Sequence, residues 1–101
     1  MPLHICIFTY NRPAALLRLL GDVRRDTKDR SGESTVTIYD DCSSEDYTGA
    51  KALAAEHGWV WHRFEENHGK RRFWEIFTQA FSDQWGRDGR FCFLPDDYRL
   101  C

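Results

Sequence analysis

The sequence lacks the features that would place it in a membrane or on a nucleic acid. Its apolar runs all fall well short of the roughly 18 residues needed to span a membrane. The opening residues, MPLHICIF, have neither the basic segment nor the long apolar segment of a signal peptide. The formal net charge of −2 gives no general attraction to nucleic acid or anionic lipid. We therefore expect a cytoplasmic protein with no membrane span and no nucleic-acid partner.

The cysteines are not spaced for a metal site. The four cysteines form no C-x-x-C pair, so the sequence does not favour a zinc site; they are Cys6, Cys42, Cys92 and Cys101. Cys6 and Cys92 lie inside apolar runs. We interpret them as small buried side chains of a protein in a reducing compartment.

The sequence does contain a regular alternation of strand and helix patterns. Its 101 residues are 42% hydrophobic and 30% charged, which fits one domain spanning 1–101. Apolar runs rich in strand-forming residues occur at 3–8, 35–41, 59–64 and 90–94. Helical patterns lie between them, at 11–25, 43–58 and 69–85. Strands separated by helices predict an α/β fold with a mostly parallel sheet.

Local signals predict where the first two helices begin. Asn11 is suited to cap the first helix, and Pro13 to occupy its first turn. Ser43 and Asp46 resemble a capping box, which predicts that the second helix begins there. A polar loop is predicted between these helices, at 26–34, before the second strand.

The third helix is predicted to carry an aromatic face into the core. Its apolar residues recur at the spacing of one helical face, at Phe73, Ile76, Phe77, Ala80 and Phe81. The runs ICIF and FCFL are apolar on both faces, which is typical of strands covered by helices on both sides. We expect the first strand to be central, with Cys6 and Phe8 buried.

All four predicted strands end in polar segments. In a parallel α/β sheet the ligand binds beyond the carboxyl ends of the strands, and these ends read TYNRP (9–13), DDCSS (40–44), EENHGK (65–70) and PDD (95–97). Taken singly, each Asp pair is explained as a helix cap or a turn. Two pairs at one edge repel each other, and a divalent metal shared with phosphate is the common partner of such carboxylates.

The third of these segments adds a group of cations. Lys70, Arg71 and Arg72 fall in the first turn of a predicted helix, where the helix dipole disfavours positive charge. They are either a solvated charged run or the partners of a bound anion. The histidines are interpreted as surface or helix-end residues rather than ligands: His57, His62 and His68. Carboxylates beside an anion-binding helix start indicate a nucleoside diphosphate.

Four segments in order resemble the landmarks of the GT-A glycosyltransferases, family 2 above all: ICIFTYNRPAALLRLL, VTIYDDCSSED, ENHGK and FLPDD. That family has a strand with a T-Y-N-R turn, then D-D-G-S, then N-x-G before a helix, then a D-x-D or D-D metal motif. The resemblance covers essentially the whole chain. It implies a Rossmann-like GT-A fold with strand order 3-2-1-4 and flanking helices. GKRRFWEIFTQAF followed by DD is also similar to N-acetylglucosaminyltransferases of this fold.

The resemblance implies a site for a nucleotide-diphospho-sugar donor, a UDP- or GDP-sugar, with Mn²⁺ or Mg²⁺ as cofactor. Asp97 is the implied metal ligand, with Asp96 beside it and also placed to contact ribose or sugar. Asp41 matches the second Asp of D-D-G-S and is implied to contact the base. The further nucleotide-binding residues that it implies are Thr9, Tyr10, Asn11, Arg12, Asn67, Gly69 and Lys70.

The sequence departs from the family pattern in two places. Cys42 stands where Gly is usual, and larger residues follow Gly69 than the family carries there. No residue is assignable as a general base, and in the family the acceptor contacts come later in the chain. We therefore expect a donor-binding part truncated after the metal motif, which transfers no sugar alone. Its apolar edge, FCFL, is expected to pair with another chain or with a missing C-terminal half.

Three interpretations of function remain open. The first is a glycosyltransferase, or its donor-binding half, acting on an unknown acceptor. The second is a non-catalytic nucleotide-binding module or a fragment of a decayed transferase. The third is a plain α/β interaction domain. Metal-dependent nucleotide binding separates the third from the other two.

Overall fold

Four strands and three helices alternate along residues 2–27 and 34–98, the part of the chain that this computed structural model describes. The strands are β1 (Leu3–Thr9), β2 (Ser34–Asp40), β3 (Val60–Arg63) and β4 (Arg90–Pro95). The helices are α1 (Pro13–Thr27), α2 (Thr48–Glu56) and α3 (Phe73–Gln84), the last preceded by a 3-10 turn at Lys70–Arg72. Among these residues no helix is long and apolar enough to cross a membrane. Residues 28–33 of the predicted polar loop, and Cys101, lie outside the described residues.

The strands form one parallel sheet in the order β3-β2-β1-β4, which confirms the predicted topology. The central strand, β1, pairs with β2 from Leu3↔Ser34 to Thr9↔Asp40. On its other side it pairs with β4, from Leu3↔Arg90 to Phe8↔Pro95. Because the three strands run parallel and end level with one another, their exits meet at one edge of the sheet.

Helices α1 and α2 cover one face of the sheet and enclose the larger apolar core. The strands contribute Ile5, Ile7, Val36 and Ile38 to this core. The helices contribute Leu16, Leu19, Leu20, Val23, Ala50 and Ala54. The residues from α1 recur at helical spacing, so that one stripe of the helix faces the sheet.

Helix α3 alone covers the opposite face, and its aromatic residues are less buried than predicted. The small core beneath it consists of Cys6, Phe8, Tyr39, Ile76 and Ala80. The burial of Cys6 and Phe8 is therefore confirmed. In contrast, 39–49% of the surface of three aromatic residues stays exposed: Phe73, Phe77 and Phe81. One helix is roughly 10 Å wide, which is narrower than a sheet of four strands about 4.8 Å apart, so its flanking side chains remain open.

Helix α1 begins at Pro13, which confirms that this residue occupies the first turn, but the predicted caps of the first two helices are wrong. Helix α2 begins at Thr48, after Ser43 and Asp46. The Ser43 N–H donates to the Asp40 carboxylate at 2.9 Å, and this local turn competes with a helix at that position. The Asn11 side chain bonds the loop after β2, as described below, and does not cap α1.

Residues before β1 hold the start of β4 at the end of the sheet opposite the strand exits. The Arg90 N–H donates to the Pro2 carbonyl at 2.9 Å. Gly89 lies directly against that carbonyl: its φ is 115°, and a Cβ at this position would lie 2.3 Å from the Pro2 oxygen. Only glycine fits this position. The His4 Nε2–H, beside it, donates to the Asp88 carbonyl at 2.8 Å.

We expect Leu20→Ala to lower the free energy of unfolding by about 2–5 kcal/mol, because it empties a fully buried position under the sheet. Leu17→Ala is the matched control, since Leu17 lies on the same helix and is 43% exposed. We expect it to cost less than about 1 kcal/mol. Urea denaturation followed by circular dichroism measures both. Equal losses in the two variants would contradict this account of the core.

Candidate functional site

A cavity of about 630 Å³ opens at the carboxyl ends of β1, β2 and β4. One wall is apolar and belongs to the core beneath α3; it includes Phe8, Tyr39, Phe73 and Ile76. The other wall is polar and comes from all the strand exits, with Thr9, Tyr10, Arg12, Asp41, Gly69, Lys70, Asp96 and Asp97. The cavity therefore lies where parallel α/β sheets bind their ligands.

Tyr47, just before α2, links the exits of β1 and β4. Its hydroxyl accepts the Arg12 backbone N–H at 2.8 Å and lies 2.7 Å from Thr9 Oγ1. Thr9 Oγ1 donates its proton to Asp96 Oδ2 at 2.9 Å, so the Tyr47 hydroxyl is the donor to Thr9. A chain of buried hydrogen bonds thus runs from α2 through β1 to the Asp96 carboxylate.

Asn11 joins the first exit to the second. Its Oδ1 accepts the N–H groups of Ser44 and Glu45 at 2.8 and 3.2 Å, and its own N–H donates to Ser43 Oγ at 2.9 Å. The φ of Asn11 is 49°, a left-handed conformation that asparagine tolerates better than most residues. Asn11 does not line the cavity; it fixes two of the loops that do.

The adjacent aspartates Asp40 and Asp41 have separate partners. Asp40 is 1% exposed, and its carboxylate accepts the Ser43 N–H and lies 4.0 Å from Arg63 Nε. Asp41 points the other way, into the loop that precedes α3. Cys42 follows with a φ of 60°, a conformation that glycine adopts most readily. The turn therefore has a geometry suited to D-D-G-S, although cysteine occupies the glycine position.

The Asp41 carboxylate organises the loop between β3 and α3. Its Oδ1 lies 2.7 Å from His68 Nδ1 and accepts the His68 backbone N–H at 2.9 Å. Its Oδ2 accepts the Gly69 N–H at 3.1 Å and the Asn67 side-chain N–H at 3.2 Å. An ionised carboxylate only accepts, so His68 Nδ1 carries the proton. His68 lies two residues before the 3-10 turn, which fits the predicted helix end, but its side chain is only 12% exposed and bonds a predicted site residue.

The second carboxylate pair is divided between a buried and an exposed side chain. Asp96 is buried beside Thr9, and this burial raises its pKa, although hydrogen bonds from Thr9 and the Tyr10 backbone oppose the rise. The Asp97 side chain is 59% exposed, and its Oδ2 lies 3.4 Å from Arg12 Nη1. The Asp97 carboxylate is therefore more accessible to a ligand than that of Asp96.

The residues that could hold a metal here are few. Residues 2–27 and 34–98 contain no group of three or more His, Cys, Asp and Glu residues placed to hold one. Metals bound with nucleotides commonly take one or two carboxylates and complete their shell with phosphate oxygens and water. The exposed Asp97, with Asp96 adjacent, fits a site of that kind, in which most of the ligands come from the nucleotide and solvent.

The cationic turn before α3 is not a uniform anion site. Arg72 forms ion pairs with Glu66 and Glu75, so its charge is offset within the protein. Arg71 has no ionic partner among the described residues and does not line the cavity. Lys70 does line it. Of the three cations in this turn, Lys70 is thus the one that lies at the cavity.

The structure brings eight of the ten predicted site residues to the cavity. The other two, Asn11 and Asn67, lie behind it and hold its loops. Sequence reasoning missed Tyr47 and His68. For Tyr47 no local pattern marks the role, whereas His68 is the variable residue of the predicted N-x-G segment and could have been considered with its neighbours.

The sheet order 3-2-1-4, the helices on both faces and the polar cavity at the strand exits together define a GT-A-like fold. The solved structures that share it include those of S. aureus TarS, a glycosyltransferase. TarS 1–349 in complex with UDP matches with a TM-score of 0.72 and 20% identity, over 96% of this chain and 28% of that chain.

Two further TarS structures agree with this match. TarS 1–349 in complex with UDP-GlcNAc gives a TM-score of 0.73 at 20% identity, over 96% of this chain and 27% of that one. The longer TarS structure gives a TM-score of 0.71 at 19% identity, over 96% of this chain and 17% of that chain. The chain thus spans 17–28% of the length of these TarS chains. No protein-family model and no curated protein matches the sequence.

We expect Tyr47→Phe to lower the free energy of unfolding by about 1–3 kcal/mol, because the lost hydroxyl takes a buried donor from Thr9 Oγ1 and the acceptor from the Arg12 backbone N–H. Tyr98→Phe is the control, since Tyr98 is 48% exposed. Chemical denaturation of the two variants measures the difference. An unchanged midpoint for Tyr47→Phe would show that the network does not stabilise the fold.

We expect Asp96→Asn to raise the free energy of unfolding at pH 7 in the presence of EDTA. Burial raises the pKa of Asp96 above its unfolded value, so above that raised pKa the ionised carboxylate destabilises the folded state. This gain in the free energy of unfolding should shrink as the pH falls from the pKa of Asp96 in the folded protein towards its unfolded value of about 3.9. Below that value Asp96 is protonated in both the folded and the unfolded protein.

Urea titrations of both proteins, in steps from pH 7 to pH 4, measure this gain. Asp97→Asn is the control and should change stability by less than about 0.5 kcal/mol, because Asp97 is exposed. A gain for Asp96→Asn that does not vary with pH would contradict the assignment to the carboxylate's charge.

Proposed function

We propose that the chain binds a nucleotide-diphospho-sugar in the cavity at the strand exits, as the donor site of a glycosyltransferase. One observation carries the proposal: residues from all four strand exits line a single cavity in a GT-A-like fold. The solved TarS structures with this fold include complexes with UDP and UDP-GlcNAc. A UDP-sugar is therefore the first donor to test, and a GDP-sugar the second.

The two walls of the cavity suit the two ends of such a donor. The aromatic side chain of Phe73, which is 43% exposed, offers flat apolar surface to a base, and the buried rings of Phe8 and Tyr39 lie behind that wall. On the polar side, Arg12 and Lys70 supply positive charge for a diphosphate. The volume of about 630 Å³ lies within the range of roughly 300–1,000 Å³ that small-molecule sites occupy.

Mn²⁺ or Mg²⁺ is part of this proposal, with Asp97 as its ligand and Asp96 beside it. Such an ion, when bound, neutralises charge on a departing diphosphate. The protein's own contribution is to hold the carboxylates in place. Asp96 is fixed by Thr9 and the buried chain from Tyr47, while Asp97 is held at the cavity opposite Arg12.

Sugar transfer needs groups beyond those of the donor site. An acceptor hydroxyl must be positioned and its proton removed by a base, and we assign no described residue to that task. We propose that a further polypeptide segment supplies the acceptor site and the base, since the chain spans only 28% of TarS 1–349. The same fact favours donor binding without transfer as the second candidate function.

Isothermal titration calorimetry with UDP and GDP, in Mn²⁺ and in EDTA, tests the proposal. We expect binding that is stronger in Mn²⁺ by about tenfold or more. Asp97→Ala should remove this difference, because it takes away the exposed carboxylate of the pair. Asp88→Ala is the matched control, since Asp88 is exposed and lies at the opposite end of the sheet. Equal affinities in Mn²⁺ and EDTA would refute the metal site, and no nucleotide binding would refute the function.

A further inference from the structure

The outer edge of β4 has backbone groups available for another strand. In the described part of the chain the sheet ends at β4, which pairs with β1 alone. The Arg90 N–H donates to Pro2, just before β1, so the backbone groups of Arg90 face that side. Along a strand these groups alternate between its two sides, and those of Phe91 and Phe93 therefore point outward. Each of these two residues has one N–H and one C=O free to bond a further strand.

The side chains along this edge form an apolar surface. The run FCFL has no charged residue, although charged side chains protect most natural sheet edges. Helix α3 extends the surface: Phe81 and Trp85 are 49% and 76% exposed, and with Phe91 and Phe93 they line a groove of about 410 Å³. An aromatic groove beside an open strand edge is suited to strand addition, in which backbone bonds and side-chain burial act together.

The charges at the two ends of β4 make this edge complementary to itself. Arg87 and Arg90 outnumber Asp88 at the start of the strand, whereas Asp96 and Asp97 follow at its end. If two copies of the strand lie antiparallel, the basic start of each lies beside the acidic end of the other. Opposite charges across neighbouring strands stabilise their pairing, and like charges oppose it.

We propose that β4 pairs antiparallel with β4 of a second copy of this chain, about a two-fold axis at Cys92. In this register Phe91 of each copy lies opposite Phe93 of the other, so the outward N–H and C=O groups of both residues are bonded. Pro95 has no N–H to donate and ends the ladder. Cys92 lies opposite its own counterpart in a pair without hydrogen bonds, where Cα atoms are about 4.5 Å apart.

This pairing joins the two sheets into one and covers the aromatic groove. The two-fold axis is perpendicular to the sheet, so α3 of both copies lies on the same face. The exposed flanks of the two helices, with Phe81 and Trp85, then lie on either side of the axis. The strand exits of the two copies point in opposite directions, which leaves both cavities open. The inference therefore goes beyond the proposed function and does not depend on it.

Sedimentation equilibrium over a range of protein concentrations tests the pairing. We expect the unaltered chain to form a dimer. Phe91→Lys should raise the dissociation constant of the dimer by about tenfold or more, because it places a charge against the apolar edge of the other copy. Val60→Lys is the matched control and should leave the constant unchanged, since Val60 is 57% exposed on the opposite edge strand, β3.

Cysteine cross-linking tests the register. In a Cys42→Ser/Cys101→Ser background, oxidation should join two copies through Cys92, because the expected Cα separation lies within the range of a disulfide. Cys6 is fully buried and is retained. Moving the cysteine by Arg90→Cys with Cys92→Ser should abolish the cross-link, since position 90 of one copy then lies four residues along the strand from position 90 of the other.

Several results would overturn the inference. A folded chain that stays monomeric at every concentration would assign the β4 edge to a different polypeptide. A dimer that survives Phe91→Lys but is lost in Val60→Lys would place the interface at β3. Absence of the Cys92 cross-link would contradict the register, and open-ended assemblies would contradict the closed two-fold pair. If Phe91→Lys does not fold, Trp85→Lys replaces it and should weaken the dimer in the same direction.

Discussion

The level pairing of β1 with both of its neighbours is the constraint on which the rest of the molecule depends. A strand buried on both faces can satisfy its backbone hydrogen bonds only through adjacent strands, and β1 does so along its whole length. This pairing places the carboxyl ends of β1, β2 and β4 level with one another along the sheet. Groups that are 30 to 90 residues apart in the chain, such as Thr9, Asp41 and Asp96, are thereby brought to a single cavity.

At that edge the polar side chains mostly bond one another. Asp40 stabilises the turn that follows β2, Asp41 holds the next loop, and Asp96 is the end of a hydrogen-bond chain from Tyr47. Of the four aspartates, Asp97 is the one whose carboxylate is largely exposed. The four paired aspartates therefore have different roles. Asp40, Asp41 and Asp96 bond other groups around the cavity, whereas the Asp97 carboxylate faces solvent.

The order of the elements, the parallel sheet and most of the site were predictable because they follow from local periodicity and from the rule that parallel strands share a ligand-binding edge. The contacts of Asn11, Tyr47 and His68 were not, because each bonds a partner 27 to 38 residues away. The exposure of the α3 aromatics was also missed. Helical spacing identifies which residues share a face, but it does not measure how much sheet lies beneath them.

The contact between Pro2 and the start of β4 has a practical consequence for handling the protein. It places the amino-terminal residues at the end of the sheet farthest from the cavity, and Gly89 leaves no room there for even a methyl group. A linker joined ahead of Pro2 would tether the molecule to a sensor surface with the cavity facing the buffer. Attachment beyond Tyr98 would instead anchor it beside Asp96 and Asp97, at the edge of the cavity.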